Sequence, residues 1–162
     1  MRGFLVLILA LALLLPACGA GNKLANNKWG NLQVALENIQ QQENQWSANL
    51  AVKNPTEKMQ NYAYQGTARY TLVISREGKE VLRQDFDPID PSKAHIHNLG
   101  RGVTKDHVVV WTFRDQEGKR VPPGTYQATV TLNATTVVTA PNKTIQTVYP
   151  APTLGPVTIT VK

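Results

Sequence analysis

DQEGKRVPPGTYQATVTLN, residues 115–133, joins a charged turn and a Pro-Pro-Gly step to the strict alternation of Tyr126, Ala128, Val130 and Leu132. A two-residue apolar period marks a strand with one buried face. Pro122-Pro123 stops whatever precedes it, and Gly124 frees the backbone to enter the next strand. Asp115–Arg120 reads as a charged connection. The stretch holds no nucleophile, metal-ligand pair or phosphate cradle, so it specifies a corner of a β-fold and not a reaction.

The same period runs outward along most of the chain. Leu32, Val34 and Leu36 alternate with polar residues, and after QQENQ so do Trp46, Ala48, Leu50 and Val52, which predicts a first long hairpin. NPTEK (54–58) is a turn by composition. Tyr62 and Tyr64 mark a further strand, then Tyr70, Leu72 and Ile74 another; Arg76-Glu77-Gly78-Lys79 makes a tight turn, and Val81-Leu82 starts a short strand. HVVVWTF (107–113) is apolar on both faces, which fits either a central strand covered on both sides or one near a sheet edge. Thr135–Thr139 and Val157, Ile159 and Val161 complete the set. Many short strands with turn signals about every ten residues describe an all-β, antiparallel β-sandwich over 32–162. One ambiguity stands: Leu32, Leu36 and Ile39 also fit a helical stripe across 32–42. No internal repeat is present.

The first residues, MRGFLVLILALALLLPACGAG, carry Arg2, an uninterrupted apolar run from Phe4 to Leu15 and then small residues. That is the layout of a secretory signal, and the run is too short to span a bilayer as a helix. Cys18 is the one cysteine, so no internal disulfide framework is possible. Leu15-Pro16-Ala17-Cys18 resembles the lipobox of bacterial lipoproteins, which implies that residues 1–17 are removed and that Cys18 is the lipid attachment site. Each buried methylene of an acyl chain contributes about 0.8 kcal/mol, so two or more chains hold a protein stably at a membrane. The expected location is the cell envelope, on the outer membrane or the outer face of the cytoplasmic membrane. Gly19, where a retention signal would place Asp, favours onward sorting. Residues 18–31, rich in Gly and Asn with no apolar period, read as a tether.

Without Arg2, 16 basic side chains face 11 acidic ones, a balance of +5. That suits an anionic membrane or wall polymer, but the charge is thinly spread, and no Lys/Arg block or nucleic-acid motif accompanies it. The candidate chemistry is sparse. His95 and His97 share one face of an extended segment with His107 some way on, yet zinc wants three or four ligands held close together. Asp85, Asp87 and Asp90 in QDFDPIDPS lack the ligand spacing and glycine of a known calcium loop. No Gly-x-Ser-x-Gly elbow, catalytic cysteine or His-Glu-x-x-His is present. The expectation is therefore no enzyme, no catalytic or metal residues, no cofactor and no small-molecule substrate. Asn133 and Asn142 head glycosylation sequons that an exported bacterial protein would not use. Trp46 and Trp111 fall in strand patterns as core fillers, while Trp29, placed in the tether, is left as a membrane-surface or partner contact.

Leu50–Lys58 (LAVKNPTEK), Ala68–Ser75, Glu77–Leu82 and then Trp111, Asp115, Gly118-Lys119 and Val121–Tyr126 (VPPGTY) together resemble the Bacillus intracellular proteinase inhibitor (BsuPI) domain family. The resemblance covers about 44–133, with flanking strands at 32–38 and 156–162. It implies an Ig-like β-sandwich and a founding activity of serine proteinase inhibition. The chain departs from the family after Val81, where Leu82–Lys93 replaces a Trp, a Ser and a Met-Phe-Thr-Gln run. The proline-stiffened loop 84–94 is the candidate partner-contact segment, through Phe86, Pro88, Ile89, Pro91 and Lys93, because its prolines limit the entropy lost on binding. The expected role is an envelope lipoprotein that binds a protein, with a serine protease as the partner the resemblance implies. A non-inhibitory structural or adaptor lipoprotein is the alternative.

Overall fold

The computed structural model describes residues 27–139 and 146–162; the apolar N-terminal run, Cys18 and most of the expected tether lie outside them. Every regular element among the described residues is a strand, and all pairings are antiparallel. One layer contains β1 (Asn27–Trp29), β2 (Leu32–Gln41), β3 (Trp46–Lys53) and β8 (Thr104–Trp111), in the order β1-β2-β3-β8. The expected first hairpin is β2–β3. HVVVWTF resolves to an edge: β8 ends its sheet, and Val108 is 61% exposed while Val109 and Trp111 face inward.

The opposite layer is built from two four-stranded sheets that share their chains. β4 (Gln60–Tyr64) runs into β5 (Ala68–Arg76), β9 (Gly124–Leu132) into β10 (Ala134–Thr139), and β11 (Gln146–Pro150) is followed closely by β12 (Thr153–Val161). β6 (Lys79–Pro88) and β7 (Ile96–Leu99) complete the orders β12-β9-β5-β6 and β11-β10-β4-β7. Main-chain hydrogen bonds stitch the seam between the two: Gln65 N–H to the Asn133 carbonyl, Asn133 N–H to Arg69, Ile89 N–H to Thr67 and Ala151 N–H to Ala134. Asn133 also donates its side-chain amide to the Ala68 carbonyl and the Thr71 hydroxyl. The two sheets are thus one long sheet bent at Asn133, its polar backbone groups paired across the bend.

One apolar cluster fills the space between the layers, drawn from alternate positions of both. Leu32, Val34, Leu36, Trp46, Leu50 and Val52 meet Tyr70, Leu72, Ile74, Tyr126, Val130 and Leu132, all of them almost fully buried. The helical stripe at 32–42 has a strand explanation. The β2–β3 register shifts between Glu37 and Gln40, and Asn38 takes a φ of 51°, so a bulge changes the parity and turns Ile39 toward the core. Val81-Leu82 does not open a short strand. β6 extends to Pro88 as the ladder partner of β5, so the first half of the expected loop 84–94 is strand.

The Asp115–Arg120 connection is a small closed turn. The Asp115 carboxylate accepts from the N–H groups of Glu117 and Lys119, and Arg114 bridges Arg120 across it. Tyr126 then enters the core with its hydroxyl donating to the Pro122 carbonyl at 2.7 Å. Gly124, at φ 152°, lies under the Arg76 guanidinium, which a Cβ there would approach to 3.1 Å. The tether reading of 18–31 stops short at its C-terminal end, because Asn27–Trp29 is β1. Trp29 is 2% exposed, donates its indole N–H to the Tyr149 carbonyl at 2.8 Å and packs at 5.5 Å from the Tyr62 ring. It is a core side chain, anchored because a buried indole N–H needs an acceptor.

Candidate functional site

The bend in the long sheet leaves room at its β6–β7 side, and the segment from Ile89 to His95 crosses that gap. A groove of about 380 Å³ lies beneath it, lined by Ala63, Tyr64, Gly66, Ile89, Pro91 and Lys93 among others. Three of the five candidate contact residues therefore share one concave surface. Pro88 ends β6 and is exposed. Phe86 is placed differently: it is half-buried and stacks on Tyr70 with centroids 5.0 Å apart and planes 9° apart. Ile89 is also partly packed on the core, its N–H held by the Thr67 carbonyl.

Local hydrogen bonds fix the shape of this segment. The Asp90 carboxylate accepts from both the N–H and the hydroxyl of Ser92, at 3.0 and 2.6 Å, and Lys93 Nζ stands 3.2 Å away. Those Ser92 bonds, with Lys93, hold the Asp90 carboxyl below the usual carboxylate range. His95 Nε2 lies 2.9 Å from the Asp90 carbonyl, and Tyr64 N–H donates to the His95 carbonyl. The three aspartates of QDFDPIDPS thus face three different partners: Asp85 accepts from Thr71, Asp87 turns to His107, and Asp90 closes its own turn. The histidine pair separates in the same way. His95 serves the Asp90 turn, while His97 stacks on Tyr62 at 5.5 Å and 18°. Among the described residues no three His, Cys, Asp or Glu side chains gather as a metal ion would need.

Behind the groove lies a buried polar chain that links both layers. His107 sits at an inward position of β8, 5% exposed, with Nε2 2.9 Å from the Tyr64 hydroxyl and Nδ1 3.6 Å from the Asp87 carboxylate. The carboxylate beside Nδ1 selects the Nδ1–H tautomer, so Nε2 accepts from the Tyr64 O–H. Tyr62 Oη lies 3.5 Å beyond, and the Arg69 guanidinium covers the Tyr64 ring at 5.4 Å. Asp87 reaches this position with a φ of 50° and stands 3.9 Å from Arg69.

The electrostatics hold the phenols and the imidazole of this polar chain in their neutral forms. Burial, with the neighbouring Tyr62, drives the Tyr64 phenol well above its ordinary range, so it stays protonated. Burial likewise pushes Tyr70 up to about 12, with Asp87 adding to the effect. His107 is pushed below its ordinary value by burial, against the opposing pull of Asp87 and with Lys105 and Arg69 adding to the fall. A neutral imidazole between a carboxylate and a non-ionising phenol braces the groove from behind. In the sequence, Tyr62 and Tyr64 mark a strand and His107 stands as a distant third histidine. The available signal was the phase: His107, Val109 and Trp111 share one face, and a histidine on a core face requires partners.

The geometry defines an all-β sandwich with a preformed groove at one edge of its bent sheet. No family model matches the chain. A 95-residue stretch, 59% of this chain, is 27% identical to a streptococcal hemagglutinin of Streptococcus gordonii (strain Challis). That stretch amounts to 4% of the length of the hemagglutinin.

Proposed function

We propose that this chain is a lipid-anchored protein of the cell envelope whose Ig-like sandwich binds a protein partner in the groove beside Ile89, Pro91 and Lys93. The observation that carries the reading is the groove itself, about 380 Å³, with walls fixed in advance by the Asp90 turn and the His107 brace. A surface ordered before binding loses little entropy when the partner arrives. Lys93 at its rim and a balance of +5 without Arg2 (16 basic against 11 acidic side chains) suit a partner segment with acidic character. The Ig-like assignment draws support from Tyr126, whose hydroxyl bonds to a carbonyl four residues upstream as in the tyrosine corner of such sandwiches. The lipid anchor rests on Leu15–Cys18.

Between inhibitor and adaptor, the geometry favours the adaptor. An inhibitor that inserts a loop into a protease cleft presents its large side chains outward. Phe86 and Ile89, the largest apolar members of the segment, instead turn toward the sandwich: Phe86 stacks on Tyr70, and Ile89 lines the concave surface. The hemagglutinin similarity points the same way, toward binding at a cell surface. Pull-down from native membranes with the wild-type chain and with a Lys93→Glu/Pro91→Asp variant tests the reading. One partner lost in the variant, together with no inhibition of a serine protease panel, is the expected result. Inhibition of any of those proteases by the wild-type chain would reverse the ranking, and an identical set of captured proteins would remove the groove from the account. Cys18→Ala is expected to release the protein from the membrane fraction; unchanged fractionation would sink the anchor.

A further inference from the structure

The sheet β11-β10-β4-β7 carries no Lys, Arg, Asp or Glu on any of its four strands, in a chain with 17 basic and 11 acidic residues. It also holds a concentration of exposed apolar side chains. Ile96 is 62% exposed, Val137 45%, Val148 59% and Tyr149 38%; among the described residues only Met59, Val103 and Val108 elsewhere are large, apolar and exposed. Val137 and Val148 are direct cross-strand partners, and Ala63 pairs with Ile96 in the same sheet. A shallow groove of about 370 Å³ connects Ala63, Ile96, Thr135 and Val137. Ile96, Val137 and Val148 share the outer face of the sheet, while Tyr149, paired with buried Thr136, turns to the other; an exposed apolar cluster of this kind marks an interaction face.

Among the described residues that sheet ends in two uncharged edges, β7 and β11; β7 is the shorter, four residues with Leu99 buried, whereas β11 is exposed along its whole length. β6 presents Lys79, Glu80, Arg83, Asp85 and Asp87, β8 presents Lys105 and Asp106, and β1 is three residues long with Lys28 at its center. β12, below β11 on the same side, has a register shift between Leu154 and Val157 with Pro156 inside it. Charge, shortness, bulges and proline are the usual devices that stop strands from pairing between molecules. β11 has none of them before Pro150, and all five of its residues are exposed. Trp29 caps one carbonyl, that of Tyr149.

We infer that β11 is a self-association edge, occupied by β11 of a second copy of this chain in an antiparallel, two-fold arrangement. The charge distribution selects that occupant. Two copies of a chain with 16 basic and 11 acidic side chains outside the signal, a balance of +5, repel each other over most of their surfaces, whereas this sheet is neutral. An isologous contact needs a patch that complements itself, and a neutral strand flanked by valines meets that condition. Pairing would continue the sheet across the two-fold axis and bring the Val137 and Val148 pairs of both copies together.

Cross-linking in native membranes tests this with the full chain. Val148→Cys is expected to give an oxidised dimer of twice the chain mass, while Val108→Cys, equally exposed on the β8 edge, gives none. On the detergent-solubilised wild-type chain, sedimentation is expected to show a reversible dimer. Val148→Lys should weaken that dimer by about tenfold without changing the far-UV circular dichroism. A wild-type chain that stays monomeric at every concentration would overturn the inference. So would equal cross-linking at 108 and 148, or a Val148→Cys adduct to a different protein, which would assign the edge to another occupant.

Discussion

Tyr64→Phe removes one hydroxyl and keeps the ring that packs against His97, Tyr62 and Arg69. Its main effect falls on His107 Nε2, which loses the 2.9 Å bond and stays buried without a partner, and the weaker 3.5 Å contact to Tyr62 Oη is lost with it. An orphaned buried acceptor costs about 1–3 kcal/mol. His107→Leu strands the Tyr64 hydroxyl instead, with Tyr62 Oη 3.5 Å away as a weak substitute, at a similar cost. The double variant leaves neither orphan, so its cost should fall short of the sum of the single ones by about 1–2 kcal/mol. With a urea slope of about 1.5 kcal/mol per molar, each single substitution moves the midpoint down by about 0.7–2 M. The assay is urea unfolding of residues 22–162 followed by tryptophan fluorescence, at a pH above 7 where His107 is neutral in both states. Additive costs would show that the two side chains do not act as one unit, and the brace behind the groove would be wrong.

Protonation gives a second test of the same chain. The folded His107 has its pKa below the ordinary histidine value, so the unfolded chain binds the proton first. The contribution of neutral His107 is complete above about pH 6.5 and declines as the pH falls from there toward the folded pKa; His107→Leu should flatten the stability profile in that window, and an unchanged slope would contradict it. Asn54, fully buried, donates its amide to the carbonyls of Lys58, Leu99 and Gly100 and ties the NPTEK turn to the end of β7. Asn54→Ala is expected to cost about 1–3 kcal/mol, because the buried Leu99 carbonyl and the two part-buried ones lose the amide they share; a loss below 1 kcal/mol in thermal unfolding would mean that the turn relaxes to other partners. Trp29→Ala should cost about 3–5 kcal/mol, as removal of a buried aromatic does, whereas a mobile tether residue would cost almost nothing.

Strand phase was legible wherever a strand buries one face. Tyr70, Leu72 and Ile74, and Tyr126 through Leu132, lie where their alternation places them. Arg76–Lys79 was equally plain: Glu77 and Gly78, at φ 53° and 77°, make the left-handed pair that a tight hairpin requires. β6 beyond Leu82 was not legible, because an edge strand with polar side chains on both faces is held by its ladder to β5 and leaves no apolar period. The same holds for β11, exposed throughout, and for β1, too short to show a period.

The candidate site divides along the same line. Loop 84–94 was marked by its prolines, and Pro91, Lys93 and Ile89 do line one groove. What Phe86, Asp87 and His107 do could not be read from spacing, since their partners Tyr70, Tyr64 and Arg69 come from strands that meet only when the layers close. The amino-acid order by itself determined the all-β class, most strand positions and the corner at DQEGKRVPPGTYQATVTLN, because periodicity and turn chemistry are local. Tertiary structure alone decided the bend at Asn133, the burial of Trp29, the bracing of the groove and the neutrality of one whole sheet. Each of those depends on which strands become neighbours, a choice made by burial and backbone pairing across long sequence distances.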